Sequence, residues 1–213
     1  MLQGTERHYQ IQLLGSFRVQ CSSGELNESA GRMQQVWNLL EYLIVFRNSS
    51  ISQSALIEAL WPYDGSDNPS NALKNLAYRA RTLLSKAFPE ETAPFIVFKR
   101  NAYSWNNDLS CSVDIEELER SWKIASSDTL PDGERLAHYN RVLNLYHGQF
   151  LPKSGAEEWT LPLRAYYRSI YLECVDKACT LLLNANRPGE VIRICGQSTS
   201  LEPFEERLHE LLI

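Results

Sequence analysis

The spacing of apolar and polar residues changes along the chain, and each change marks a new kind of element. Residues 8–20 alternate closely enough to predict a β-strand, with Gly15-Ser16 as a bulge or turn inside it. Residues 21–25 form a turn, and a short strand follows near Leu26. Over 32–47 the period becomes helical, with Met33, Val36, Trp37, Leu40, Leu43 and Ile44 on one face. Ser52 is placed to cap a second helix, 53–61, which turns Leu56, Ala59 and Leu60 inward and stops at Pro62. Residues 63–69 are a loop of turn formers. A third helix spans 70–88. Leu73, Leu76, Ala77, Ala80 and Leu84 share its apolar face. Asn71, Lys74, Asn75, Tyr78, Thr82 and Lys86 share the polar one, with Arg79 and Arg81 on opposite flanks. Pro89 closes it. Residues 95–98 and 102–105 predict two strands joined by Lys99-Arg100-Asn101, a hairpin with a basic tip.

Beyond residue 106 the strand signal is gone. Helical spacing recurs over 114–125, 132–146, 157–184 (with Pro162 as an interruption near its start), 188–200 and 204–213. Connections are short, so this half reads as antiparallel helical hairpins in a repeat scaffold, inferred from helix lengths rather than from sequence periodicity. The fold class expected is mainly α with small β. Residues 1–107 form an N-terminal winged helix-turn-helix and residues 108–213 an all-α helical domain. In a winged helix the third helix enters the DNA major groove and the hairpin wing reaches the backbone or minor groove. Trp37, Trp61 and Tyr103 are expected in the first core, Trp122 and Trp159 in the second.

Charge sharpens this division. Residues 1–107 hold 10 Lys and Arg against 9 Asp and Glu, a net of +1, and residues 108–213 hold 11 against 17, a net of −6. Within the first half, residues 68–89 carry Lys74, Arg79, Arg81 and Lys86 and no acid. The first half is suited to phosphates and the second would be repelled by them.

Other chemistry is sparse. The five cysteines are odd in number and lack CxxC spacing, which reads as free thiols in a reducing compartment. His8, His138, His147 and His209 lack metal-ligand spacing, so no metal and no cofactor is expected. Glu116-Glu117 and Glu157-Glu158 are solvated faces rather than converging acid-base pairs. No GxSxG, HExxH or Walker sequence is present, and the expectation is not an enzyme. No run of about 18 apolar residues occurs, and the N-terminus lacks an apolar signal region, so a cytoplasmic protein with no membrane partner is expected.

Five segments then point to a family. They are residues 13–19, residues 52–62 with their Leu60-Trp61-Pro62 stop, and Asn71-Ala72-Leu73 with Arg79-Ala80-Arg81. The remaining two are residues 146–151 with Trp159 and Arg164, and residues 201–209. In this order they resemble the SARP-like bacterial transcriptional regulators. That family joins an OmpR-type winged helix to a bacterial transcriptional activator domain of TPR-like helices. The resemblance covers nearly the whole chain. It departs at Ala80, where leucine is common, and at Asn101-Ala102, where the wing usually has glycine. It also departs at Ile213, where the family continues with further helices.

The resemblance implies a sequence-specific activator that binds double-stranded DNA, pairs as a homodimer on repeated sites and contacts RNA polymerase. Asn71, Lys74, Asn75, Tyr78 and Arg79 would face the major groove. Lys99, Arg100 and Asn101 would be the wing contact, and Arg81 or Lys86 a backbone clamp. A second reading stays open: a protein-interaction module whose winged helix no longer reads DNA. The modest +1 and the altered wing favour it.

Overall fold

The computed structural model describes residues 7–28, 33–62, 68–127, 129–154 and 158–210. By contacts between Cα atoms the chain divides into two units. One holds the residues up to Leu13, Phe17–Ser112 and Lys153–Leu161. The other holds Leu14–Ser16, Val113–Pro152 and the residues from Pro162 onward.

The first unit opens with a meander, β1 (Tyr9–Gln12), β2 (Arg18–Cys21) and β3 (Gly24–Asn27). Ile11 faces Val19 and Val19 faces Leu26 across the antiparallel ladders. These three side chains and Tyr9 are buried, while Gln10 and Gln20 join amides on the other face at 2.8 Å. The expected single strand over 8–20 is thus two paired strands. The break falls at Gly15, whose φ of +85° is open to glycine at no steric cost. Gly24 serves close approach: a Cβ there would lie 2.3 Å from the carbonyl oxygen of Ala87.

Three helices follow. α1 (Gln34–Val45) is buried around most of its circumference, with Val36, Trp37, Leu39, Leu40, Leu43 and Ile44 in the core. β4 (Ile51–Ser52) leads directly into α2 (Gln53–Leu60), whose cap is Ser52 as expected: its hydroxyl accepts from the Ala55 N–H at 3.2 Å. α3 spans Pro69–Ala87. The hairpin is β5 (Ile96–Lys99) and β6 (Ala102–Trp105), and β4 pairs with β6 to make a sheet of order β4-β6-β5. A final strand, β7 (Cys111–Val113), joins the first sheet in the order β3-β2-β1-β7. β4 and β7 have two and three residues, too short to leave a period in the sequence. Tyr9, Phe88, Phe95 and Trp105 pack with ring centroids 5.2–5.7 Å apart, fixing the end of α3 against the base of the hairpin.

The segment Lys153–Leu161 completes this unit from far along the chain. Ser154 donates its hydroxyl to the carboxylate of Glu41, a fully buried acid on α1. Thr160 donates to the Ser154 carbonyl at 3.4 Å. Lys153 donates to the Glu28 carbonyl at 3.0 Å, and its ammonium lies 3.9 Å from the Glu28 carboxylate. Burial pushes the Glu28 carboxyl above the usual range, and Lys153 opposes that rise. Trp159, expected in the second core, instead meets Tyr42 edge-on at 5.1 Å and Phe46 at 6.1 Å. Trp37, Tyr103 and Trp105 are buried in the first unit, whereas Trp61 is half-buried where α2 ends.

The second unit is helical: α4 (Asp114–Ala125), α5 (Asp132–Leu145), α6 (Thr160–Asn184), α7 (Pro188–Leu201) and α8 (Glu206–Glu210). Asp114 starts α4 by accepting from the Ile115 and Leu14 N–H groups, both at 2.8 Å. Pro162 does not interrupt α6. It stands in the first turn, where its missing N–H leaves no intrahelical bond unmade. Trp122 is half-buried and donates to Glu173 at 3.2 Å. Residue 157, expected at the start of the long helix, and residues 211–213, expected at the end of the last one, lie outside the described residues.

Candidate nucleic-acid interface

α3 is the centre of the site, and its sequence explains its exposure. Asn68 caps it by accepting from the Asn71 N–H at 3.1 Å, and Pro69 supplies a fixed φ in the first turn. Leu73, Leu76, Ala77, Ala80 and Leu84 are buried, which turns the opposite stripe to solvent. Asn71, Lys74, Asn75, Tyr78, Arg79 and Lys86 are all exposed, and Tyr78 keeps 70% of its surface open. An aromatic ring held that far out on a folded helix contributes little to the core. Lys86 lies in the last turn, where a cation suits the helix dipole.

Arg81 differs from the others. It is half-buried, and its Nε donates to the Ile96 carbonyl at 3.1 Å, tying α3 to the hairpin. Thr82, expected on the polar face, is half-buried and donates back to the Tyr78 carbonyl at 2.9 Å. Ala80 is fully buried, so its small side chain is part of the packed face of α3.

Lys99, Arg100 and Asn101 are exposed at the hairpin tip. Lys99 pairs with Ala102, leaving Arg100 and Asn101 as a two-residue loop with φ of 50° and 62°. Both central residues in the left-handed region are what a tight hairpin of native twist demands. Asparagine tolerates that conformation, but arginine loses about 1–2 kcal/mol to it. The Asn101 carbonyl also accepts from the Gln53 N–H at 3.3 Å, joining the tip to the start of α2.

Among the described residues, Lys74, Arg79, Lys86, Lys99 and Arg100 make no ion pair. The nearby acid Glu90 is held by Arg7 at 3.1 Å. Asp64 and Asp67, the other acids that could neutralise this face, lie outside the described residues. Two residues escaped the sequence reading. Phe98 is 43% exposed beside Tyr103, hidden in an all-apolar run that shows no alternation. Arg47 lines a cavity of about 300 Å³ with Lys99 and Ser104, and nothing in its local sequence marks it. The set can bond base edges through asparagine and arginine and phosphates through lysine. No group of His, Cys, Asp and Glu among the described residues could hold a metal ion, and no described helix is long and apolar enough to cross a membrane.

Comparison with known proteins supports both halves of this architecture. Residues 113–213 match the family model of the bacterial transcriptional activator domain, and the match begins at Val113, where the long run of the second unit begins. No curated protein matches the chain. Among solved structures, Mycobacterium tuberculosis EmbR in complex with a low affinity phosphopeptide is similar in fold, with a TM-score of 0.70 at 17% identity. The likeness covers 97% of this chain and 53% of that one, so the chain spans about half the length of that protein. The fold is a winged helix followed by a helical domain, as in the SARP-like regulators that its residues resemble.

Proposed function

We infer that this chain, whose second half is a bacterial transcriptional activator domain, regulates transcription by binding promoter DNA through α3 and the hairpin. The observation that carries this reading is the stripe Asn71, Lys74, Asn75, Tyr78 and Arg79. It is exposed along one face of a helix whose other face is fully packed, and among the described residues no acid pairs with its cations. Asn71, Asn75 and Arg79 read base edges; Lys74 and Lys86 hold phosphates; Lys99, Arg100 and Asn101 form the wing contact. Arg81 positions the hairpin against α3 and reaches the backbone from there. In this reading residues 1–107 are the DNA-facing domain and residues 108–213 the helical one. The helical domain mediates contacts with a second copy on repeated sites and with RNA polymerase, in a cytoplasmic activator.

A mobility-shift series across salt tests this. With about 4–6 phosphate contacts, log K falls against log salt with a slope of about −0.9 per contact. A flat salt response, or no binding at low salt to promoters from the gene's own neighbourhood, leaves the protein-interaction reading in its place.

A further inference from the structure

Five cysteines are scattered along the sequence, and the fold brings two of them together. Cys179 lies on α6 and Cys195 on α7, with their Sγ atoms 3.7 Å apart inside the helical unit. Both are fully buried. The chain reverses between them at Asn186, whose φ of 56° is left-handed, and at Pro188, the first residue of α7. Cys174 is also on α6, but five residues of helix turn it about 140° away from Cys179. Cys21 and Cys111 belong to the first unit. A disulfide holds its sulfurs about 2.0 Å apart, so the pair has about 1.7 Å to close, which rotation of the two side chains divides between them.

α7 is the weaker of the two helices. Gly189 and Gly196 lie inside it, and Ser198, Thr199 and Ser200 follow, all poorer helix formers than alanine or leucine. The hydroxyls of Thr199 and Ser200 donate to the Gly196 carbonyl at 3.0 and 3.1 Å, in competition with the backbone. Local fraying of α7 exposes Cys195 to a small solute. Burial raises both thiols above their ordinary range, Cys179 to about 12. A hydrogen bond from Cys179 opposes that rise at Cys195, so Cys195 ionises first.

We propose that Cys179 and Cys195 are an oxidant-responsive dithiol, which hydrogen peroxide converts to a disulfide that ties α7 to α6. The Cys195 thiolate attacks one peroxide oxygen and the O–O bond breaks. Cys195 becomes a sulfenic acid, and the departing hydroxide takes a proton to become water. The Cys179 sulfur then attacks the Cys195 sulfur, the S–O bond breaks, and a second water leaves. In all, the two thiols lose two electrons and two protons, and the peroxide takes them up. A thiol reductant reverses the change by exchange. Ser198 stands one turn beyond Cys195 and accepts from the Tyr171 hydroxyl at 2.7 Å. The Tyr171 ring stacks on Tyr146 at 4.1 Å, and Tyr146 donates to Glu202 at 2.7 Å. A shift of α7 at Cys195 therefore reaches the tyrosine stack. The proposal goes beyond the DNA reading and does not depend on it.

The test uses the full chain, reduced and then titrated with hydrogen peroxide under native conditions. Remaining thiols are alkylated, and mass spectrometry follows the digested protein. A peptide pair joined through Cys179 and Cys195 is the expected product, and dithiothreitol removes it. The thermal midpoint rises by about 5 °C or more on oxidation and returns on reduction. The near-ultraviolet dichroism of the tyrosines changes with it. Cys195→Ala shows none of these responses, whereas Cys174→Ala keeps them all. In Cys179→Ala the Cys195 sulfenic acid persists and is captured by dimedone. Cysteines that stay reduced, a joined pair other than Cys179 with Cys195, or a link that forms only in urea overturns the proposal, and the parent chain alone decides this. A rise in midpoint that Cys195→Ala shares overturns it as well.

Discussion

In the helical unit Lys123, Arg135, Arg141, Arg168, Arg187 and Arg207 each face a carboxylate within 4 Å. On α3 and the hairpin, Lys74, Arg79, Lys86, Lys99 and Arg100 face none among the described residues. The contrast is local, because Arg7 and Arg18 of the first unit do pair, with Glu90 and Glu25. Exposed ion pairs contribute about 0–1 kcal/mol each, so leaving a handful of surface cations unpaired sacrifices little stability. It leaves their full charge for an outside anion. An internal pair, by contrast, is already neutral to a passing phosphate. In the helical half the net charge of −6 and the pairing of these six cations both weaken its attraction for phosphates.

The sharpest way to break this contrast is to invert the charge on α3. Lys74→Glu combined with Arg79→Glu removes two contacts of about 1–3 kcal/mol each, so affinity for a selected promoter fragment falls by at least ~30-fold. Both residues are exposed, and the thermal midpoint is unchanged. A fall of less than threefold in a mobility shift means that this face does not meet DNA.

Ser154→Ala removes the hydroxyl that bonds the buried Glu41 carboxyl, and leaving a buried polar group short of a partner costs about 1–3 kcal/mol. Urea unfolding reads the loss, and an unchanged midpoint means that the segment 153–161 does not hold the first unit together. This segment also shows where the sequence stops being legible. The helices of both halves, the Ser52 cap, the packed and exposed faces of α3 and the basic hairpin all follow from local periodicity and turn chemistry. Glu41 sits inside an apolar helix and gives no local sign of its partner, 113 residues away. Trp159 pairs with Tyr42 and Phe46 for the same reason: only the folded chain brings them together. The candidate site was legible because it is one helix face and one turn. Arg47 and Phe98 were not, since the first depends on tertiary neighbours and the second on strand orientation.

Arg100 offers a test in which two measurements move in opposite directions. Its left-handed backbone costs about 1–2 kcal/mol, and glycine relieves that while adding back about 0.5–1 kcal/mol of chain flexibility. Arg100→Gly therefore raises folding stability by up to about 1.5 kcal/mol and lowers DNA affinity several-fold. Stability that rises without any change in affinity means that the tip is strained for a reason other than binding.

The smallest effect is also the control that gives the others meaning. Arg141 and Glu117 form a 2.6 Å pair in which the arginine is largely exposed. Arg141→Ala changes the net charge of the chain by the same single unit as Lys74→Ala. Removing an exposed pair shifts stability by no more than about 1 kcal/mol. DNA affinity should not move, because that cation is already neutralised within its own unit. Lys74→Ala should lower affinity for all sequences alike and flatten the salt slope by about one contact. If the two variants weaken binding equally, the DNA senses only the overall charge of the protein, and the exposed stripe of α3 loses its special standing.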